Sequence, residues 1–189
     1  MQLLGVVTIL FAQLLAVSAF TQDIYEYVNR ADPNYKWEYM GPSTDIHGRN
    51  LKGDKTWTGY RLNVTSQQWL TDDVFSEDSE MKSIWWHIMV VIVPSEIKYT
   101  NNGTLWITGW SNNAVEPTAY DEDIALAAAL AMGMGTVTGA LFQIPCEHIK
   151  FASDPIQKSR GEDAIIAFTW DHFLKDPSKG VFALCKTSN

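Results

Sequence analysis

The stretch of this 189-residue chain best placed for chemistry is the polar run Gly109-Trp110-Ser111-Asn112-Asn113. It follows an apolar segment that reads as a strand, and open parallel sheets take their ligands at the carboxyl ends of their strands. There the backbone amides of Gly109, Trp110, Ser111 and Asn112 would serve as donors to an oxyanion. The same residues also read as a plain connection to the next helix. The four histidines, His47, His87, His148 and His172, are dispersed with no metal-ligand spacing. His87, after Trp85-Trp86, reads as a strand residue whose ring finds a core or edge hydrogen bond. No GxSxG, HExxH, CxxC or glycine-rich phosphate loop occurs. No catalytic residue, metal ligand or cofactor site is therefore assigned. Asp72, Asp73, Glu77, Asp78 and Glu80 lack EF-hand spacing and read as a solvated loop over 71–80. Among eight tryptophans, Trp85, Trp86, Trp106 and Trp170 fall in core-like runs, which leaves Trp37, Trp57, Trp69 and Trp110 as surface candidates for stacking on carbohydrate.

Two residue pairs invite covalent modification. Asn63-Val64-Thr65 and Asn102-Gly103-Thr104 are N-glycosylation sequons, and Asn102 sits in a turn by composition. Cys146 and Cys185 are the only cysteines. Paired in an oxidising compartment they would close a long loop worth ~3–4 kcal/mol; the other reading is two separate thiols. The export needed for either modification is suggested by the apolar run Leu3 to Val17 ending in Val17-Ser18-Ala19, which reads as a signal peptide over 1–19. A membrane anchor is the competing reading of that run. No second apolar stretch of its length follows, so no stable membrane span is expected after cleavage. The net charge of −8, with Lys and Arg scattered, disfavours nucleic acid as a partner.

The elements that must position these residues follow from pattern. The 46% hydrophobic content suits a folded chain, and one domain over 20–189 is the simplest count. Residues 23–55 read as irregular, apart from a short strand at Lys36 to Tyr39. Period-two alternation marks a strand at Thr56 to Val64, with Ser66 to Leu70 as its hairpin partner. The runs Ile84 to Val93 and Leu105 to Trp110 read as buried strands. Asp121-Glu122-Asp123 places carboxylates at the positive end of a helix over Ile124 to Met132, stopped by Gly133. Gly135 to Ile144 reads as a third buried strand, completing a parallel strand-helix-strand unit. Ser159-Arg160-Gly161-Glu162 has the form of a capping box for a helix over Ala164 to Leu174, apolar through a wide arc. Val181 to Asn189 reads as the start of a further strand. The fold class is α/β: early antiparallel strands, then strand, helix, strand, helix.

A collinear set of short matches resembles the PhoPQ-activated pathogenicity-related protein family. It comprises Tyr27-Val28, Asp32-Pro33, Trp57-Thr58-Gly59-Tyr60, Leu62 to Gln67, Trp69-Leu70, Trp85-Trp86-His87, Ile107-Thr108-Gly109 and Ser111-Asn112. It continues through Gln143-Ile144-Pro145, Asp154-Pro155, Ser159-Arg160, Glu162 to Ala167 and Thr169 to Leu174. The resemblance implies a partial α/β-hydrolase-like sheet that stops short of the nucleophile elbow, with Gly109 to Asn112 in the place of the oxyanion loop. Trp110 stands where that family tends to have a second glycine, and Cys146-Glu147-His148 departs from its usual Asn-Gln-Pro. The resemblance implies two functions. One is a secreted, extracellular glycoprotein acting without catalysis through a cell-surface receptor or a second protein chain. The other is the N-terminal part of a serine peptidase or esterase. It further implies that the strand at Leu105 to Trp110 is left with a bare edge, open to another chain.

Overall fold

Alternating apolar and polar residues after Lys55 drive the chain into its longest strand, around which the rest of the sheet is laid. The structure, a computed structural model, describes residues 25–176 except 27; the expected signal segment at 1–19, the strand start at 181–189 and Cys185 lie outside the described residues. Pro33–Glu162 forms one unit, and the described residues before Pro33 and after Glu162 belong to a second.

The sheet comprises β1 (Lys36–Tyr39), β2 (Ile46–Arg49), β3 (Thr56–Gln68), β4 (Ile84–Pro94), β5 (Gly103–Ile107) and β6 (Val137–Leu141). Its order is β1-β3-β4-β6-β5, with β2 also paired to β3. β1 and β2 take different stretches of one side of β3, at Lys36↔Thr65 to Tyr39↔Leu62 and Ile46↔Gly59 to Arg49↔Thr56. β4 runs antiparallel to both β3 and β6, and β5 with β6 is the parallel pair. Parallel neighbours need a crossover, and helix α1 (Glu122–Met134) supplies it. The α/β class and the strand-helix-strand unit are as the pattern implied, within a sheet that is mostly antiparallel.

Burial follows register. Trp57 and Gly59 of β3 share a sheet face with Val90 and Ile92 of β4 and with Thr138 and Ala140 of β6. Helix α1 packs on these strands through Ile124, Ala127, Ala128 and Ala131, small side chains that let the helix lie close. Val90, Ile92, Ile124, Ala127, Ala131, Ala140 and Phe142 have no exposed surface.

Several expectations are corrected. Ser66 to Leu70 is no hairpin partner: β3 runs on to Gln68, because the stretch holds no Gly or Pro and β4 is long enough to pair with it past an irregularity at Thr65/Gln67. β2 appears within the supposed irregular segment, fixed by the buried Ile46 and by Gly48, where a Cβ would overlap the Trp57 indole. Gly133 does not stop α1. The helix continues to Met134, and Gly135, at φ 69°, caps it by donating to Ala131 O at 2.8 Å. β5 is not buried: α1 covers one side of it, so Leu105 and Ile107 on the other are 52% and 56% exposed.

The acidic stretch 71–80 is more than solvated loop, since Phe75 packs with Trp69 and Phe151, and Trp69 packs in turn on Trp85. Asp72 there accepts from Ser83 N and Oγ. Trp57 and Trp69 are thus buried, whereas Trp170 is 62% exposed. Helix α2 (Glu162–Lys175) starts without the expected capping box, because Glu162 N donates instead to Glu147 Oε2 at 2.7 Å. Its apolar arc is only partly used: Ile165 and Thr169 are buried, and Ile166, Trp170, Phe173 and Leu174 are exposed.

Because Ile92 is fully enclosed between the sheet and α1, Ile92→Ala should destabilise the protein by about 2–5 kcal/mol. Urea denaturation would read this as a lower midpoint at unchanged slope.

Candidate functional site

The loop after β5 is stitched to the segment that follows β6. Thr108 N donates to Leu141 O at 2.9 Å, Ile144 N to Thr108 O at 3.3 Å, and Gln143 N to Gly109 O. The chain then turns at Trp110, whose φ of 86° is left-handed, and its indole packs edge-on against Phe142 at 5.2 Å. Asn112, 6% exposed, ends the loop. Its Nδ2 donates to Trp86 O at 2.8 Å, its Oδ1 accepts from Glu147 N at 2.9 Å, and its own N donates to Glu147 O at 3.1 Å. One side chain therefore joins β4, the loop and residues 146–148.

A second connection runs beneath it. Gln143 Oε1 accepts from Ile88 N at 2.7 Å, and its main-chain oxygen lies 2.9 Å from His87 Nδ1. That nitrogen faces an acceptor, so it carries the proton. Nε2 is then the acceptor for Ser66 Oγ at 2.7 Å. Burial, the largest influence on His87, holds its pKa below the usual histidine value despite the carbonyls of Gln143 and Phe142. His87 thus has the satisfied core role its strand position suggested.

Two glutamates bear on the loop. Glu147 is 6% exposed and its carboxylate sits against Gly161, where a Cβ would lie 2.5 Å from Oε2. Glu162 Oε1 faces Gly109 closely enough that a Cβ there would lie 2.7 Å away. The Glu162 carboxylate thus faces the start of the loop, while that of Glu147 is engaged by Glu162 N and meets the loop only through its backbone. Ser111 Oγ accepts from Asn113 N at 3.3 Å and lies 3.5 Å from His148 Nδ1. Glu80 Oε2 is 3.7 Å from that same nitrogen and accepts from Asn113 Nδ2 at 2.9 Å. A serine-histidine-carboxylate relay needs its serine and its acid on opposite ring nitrogens. Here both meet Nδ1, which makes a surface clasp.

The other sequence candidates lie apart. His47 is 3.3 Å from Thr58 Oγ1, and His172 Nδ1 is 3.0 Å from Phe168 O. Among the described residues no three His, Cys, Asp or Glu side chains are grouped to hold a metal ion. Cys146 is fully buried, and burial pushes its thiol up to about 11. Asn102 is exposed in the turn before β5, while Asn63 is exposed within β3, paired with Glu38 on one side and Ile88 on the other. The partnerships that sequence reading missed are Asn112 with Glu147 and Gln143 with His87. Each joins residues far apart in the chain, so no local period announces them.

Two measurements check this network. Asn112→Ala orphans Trp86 O and Glu147 N, which should cost about 1–3 kcal/mol for each group left buried, read by chemical denaturation. His87 has a folded pKa below its unfolded value of about 6.5, so between the two the unfolded chain binds the extra proton. Stability should therefore fall as pH drops below about 6.5, and His87→Gln should flatten that dependence in urea midpoints taken at pH 7 and pH 5.

The sequence model of the PhoPQ-activated pathogenicity-related protein family matches residues 24–186. Over 172 residues the chain is 32% identical to autocrine proliferation repressor protein A of Dictyostelium discoideum, an alignment that covers 90% of this chain and 31% of that protein. The chain therefore spans less than a third of that relative's length. No solved structure matches it. The extent of both sequence matches establishes that this chain belongs to the PhoPQ-activated pathogenicity-related protein family.

Proposed function

We propose that this chain is a secreted glycoprotein that acts outside the cell by binding a surface receptor, without catalysis. The observation that carries the reading is the state of the loop at 109–112. Its Asn112 amide and side chain are committed to Glu147 and Trp86, and the Glu162 carboxylate faces Gly109 at its start. An oxyanion there would meet negative charge where catalysis needs unspent donors. The relative's name, autocrine proliferation repressor, supports the same direction. No helix among the described residues is long and apolar enough to cross a membrane.

A second reading, the opening part of an α/β-hydrolase-like domain, draws support from the strand order. β3 and β4 lead antiparallel, β6 follows, and β5 lies outermost, parallel to β6. In that sheet the next strand is laid beside β5 and carries the nucleophile at its end. The catalytic residues of this reading belong to a longer chain.

The binding reading is tested on the purified chain from a glycosylating host. Binding predicts that fluorescently labelled protein saturates on the surface of cells that express it and is displaced by unlabelled protein. It also predicts that a fluorophosphonate probe leaves every serine unmodified. Probe labelling that Ser111→Ala abolishes would overturn the binding reading, as would surface association that never saturates.

A further inference from the structure

A pocket of about 490 Å³ opens where the start of β5 meets the end of α1, and Tyr99, Asn102, Met134 and Thr136 are among its walls. The turn that carries Asn102 is fixed at both ends. Lys98 N and Tyr99 N donate to Gly135 O at 2.7 and 3.2 Å, which ties its entry to the cap of α1. Gly103 opens β5 in register with Val137, which ties its exit and sets Asn102 beside Thr136. Tyr99, three residues before the sequon asparagine, is 56% exposed. An exposed aromatic at the wall of a pocket suits a ligand with one apolar face.

A pyranose has such a face. We propose that Asn102 carries an N-linked glycan whose first N-acetylglucosamine folds back into this pocket, laying its C–H face on Tyr99. The inference rests on the export reading above, since the modification occurs in the secretory compartment. There the Asn102 amide nitrogen attacks the anomeric carbon of an oligosaccharide carried on a polyprenyl diphosphate. A C–N bond forms, the anomeric C–O bond to the diphosphate breaks, the nitrogen gives up one proton, and the lipid diphosphate leaves. Seated in this way, the sugar joins the turn to the end of α1. It would thereby act as a part of the fold, beyond serving as a solubilising appendage.

The test expresses the full chain in a eukaryotic line restricted to high-mannose glycans, collects it from the medium and maps occupancy at Asn102 by glycopeptide mass. Endoglycosidase trimming to one N-acetylglucosamine is then compared with Asn102→Gln, with Tyr99 intact and in Tyr99→Ala and Tyr99→Phe backgrounds. Expected is a Tm roughly 2–4 °C higher for the trimmed glycoprotein, a difference lost in Tyr99→Ala and kept in Tyr99→Phe. An occupied Asn102 whose Tm gain is absent, or is the same with Tyr99→Ala, overturns the seat and leaves export standing. An exported chain with bare Asn102 overturns the seat and the modification together. A chain held inside the cells overturns the export reading as well.

Discussion

The antiparallel pairing of β3 with β4, from Trp57↔Pro94 to Gln68↔Ile84, is the constraint from which the other elements take their places. It fixes which face of each strand can be buried. Once Gly59 lies opposite Ile92, the face with Trp57, Val90 and Ala140 must take α1, and the small side chains of that helix are what let it approach. The near absence of Cβ bulk at Gly48 and Gly59 serves the same end. At Gly48 the space belongs to the Trp57 indole, and at Gly59 a Cβ would sit 2.8 Å from Val90 Cγ1.

Beyond the carboxyl end of β5, packing gives way to hydrogen bonds as the organising force. Asn112, Gln143 and His87 are all buried, and each uses a side chain to satisfy backbone groups that the sheet leaves over. Such a network specifies one arrangement because each missing bond leaves a buried group unpaired. The Asn112 donors of the loop are already engaged in it.

Reading from sequence succeeded where one period or one cap dominates. β4 and β6 are continuous apolar runs, α1 is announced by its acidic first turn, and β1 was placed at its observed bounds. It failed where tertiary contacts decide. β2 has one buried residue, Ile46, and owes its place to Trp57 rather than to its own pattern. Gly133 looked like a stop, yet the helix passes through it because Gly135, not Gly133, meets the left-handed turn. The polar loop was located correctly, but its partner Glu147 was invisible, since nothing in Cys146-Glu147-His148 points to Asn112. The family was legible because it rests on many short matches spread along the chain, none of which depends on element boundaries.

The two margins of the sheet are unlike. On one, β1 and β2 divide β3 between two short strands bearing Lys36, Glu38 and Arg49. On the other, β5 has β6 as its one strand neighbour among the described residues and exposes Leu105 and Ile107. Short, charged strands discourage addition, and an unguarded one admits it. Among the described residues the two margins thus differ in how strongly they resist strand addition, the β1 and β2 margin more than the β5 margin.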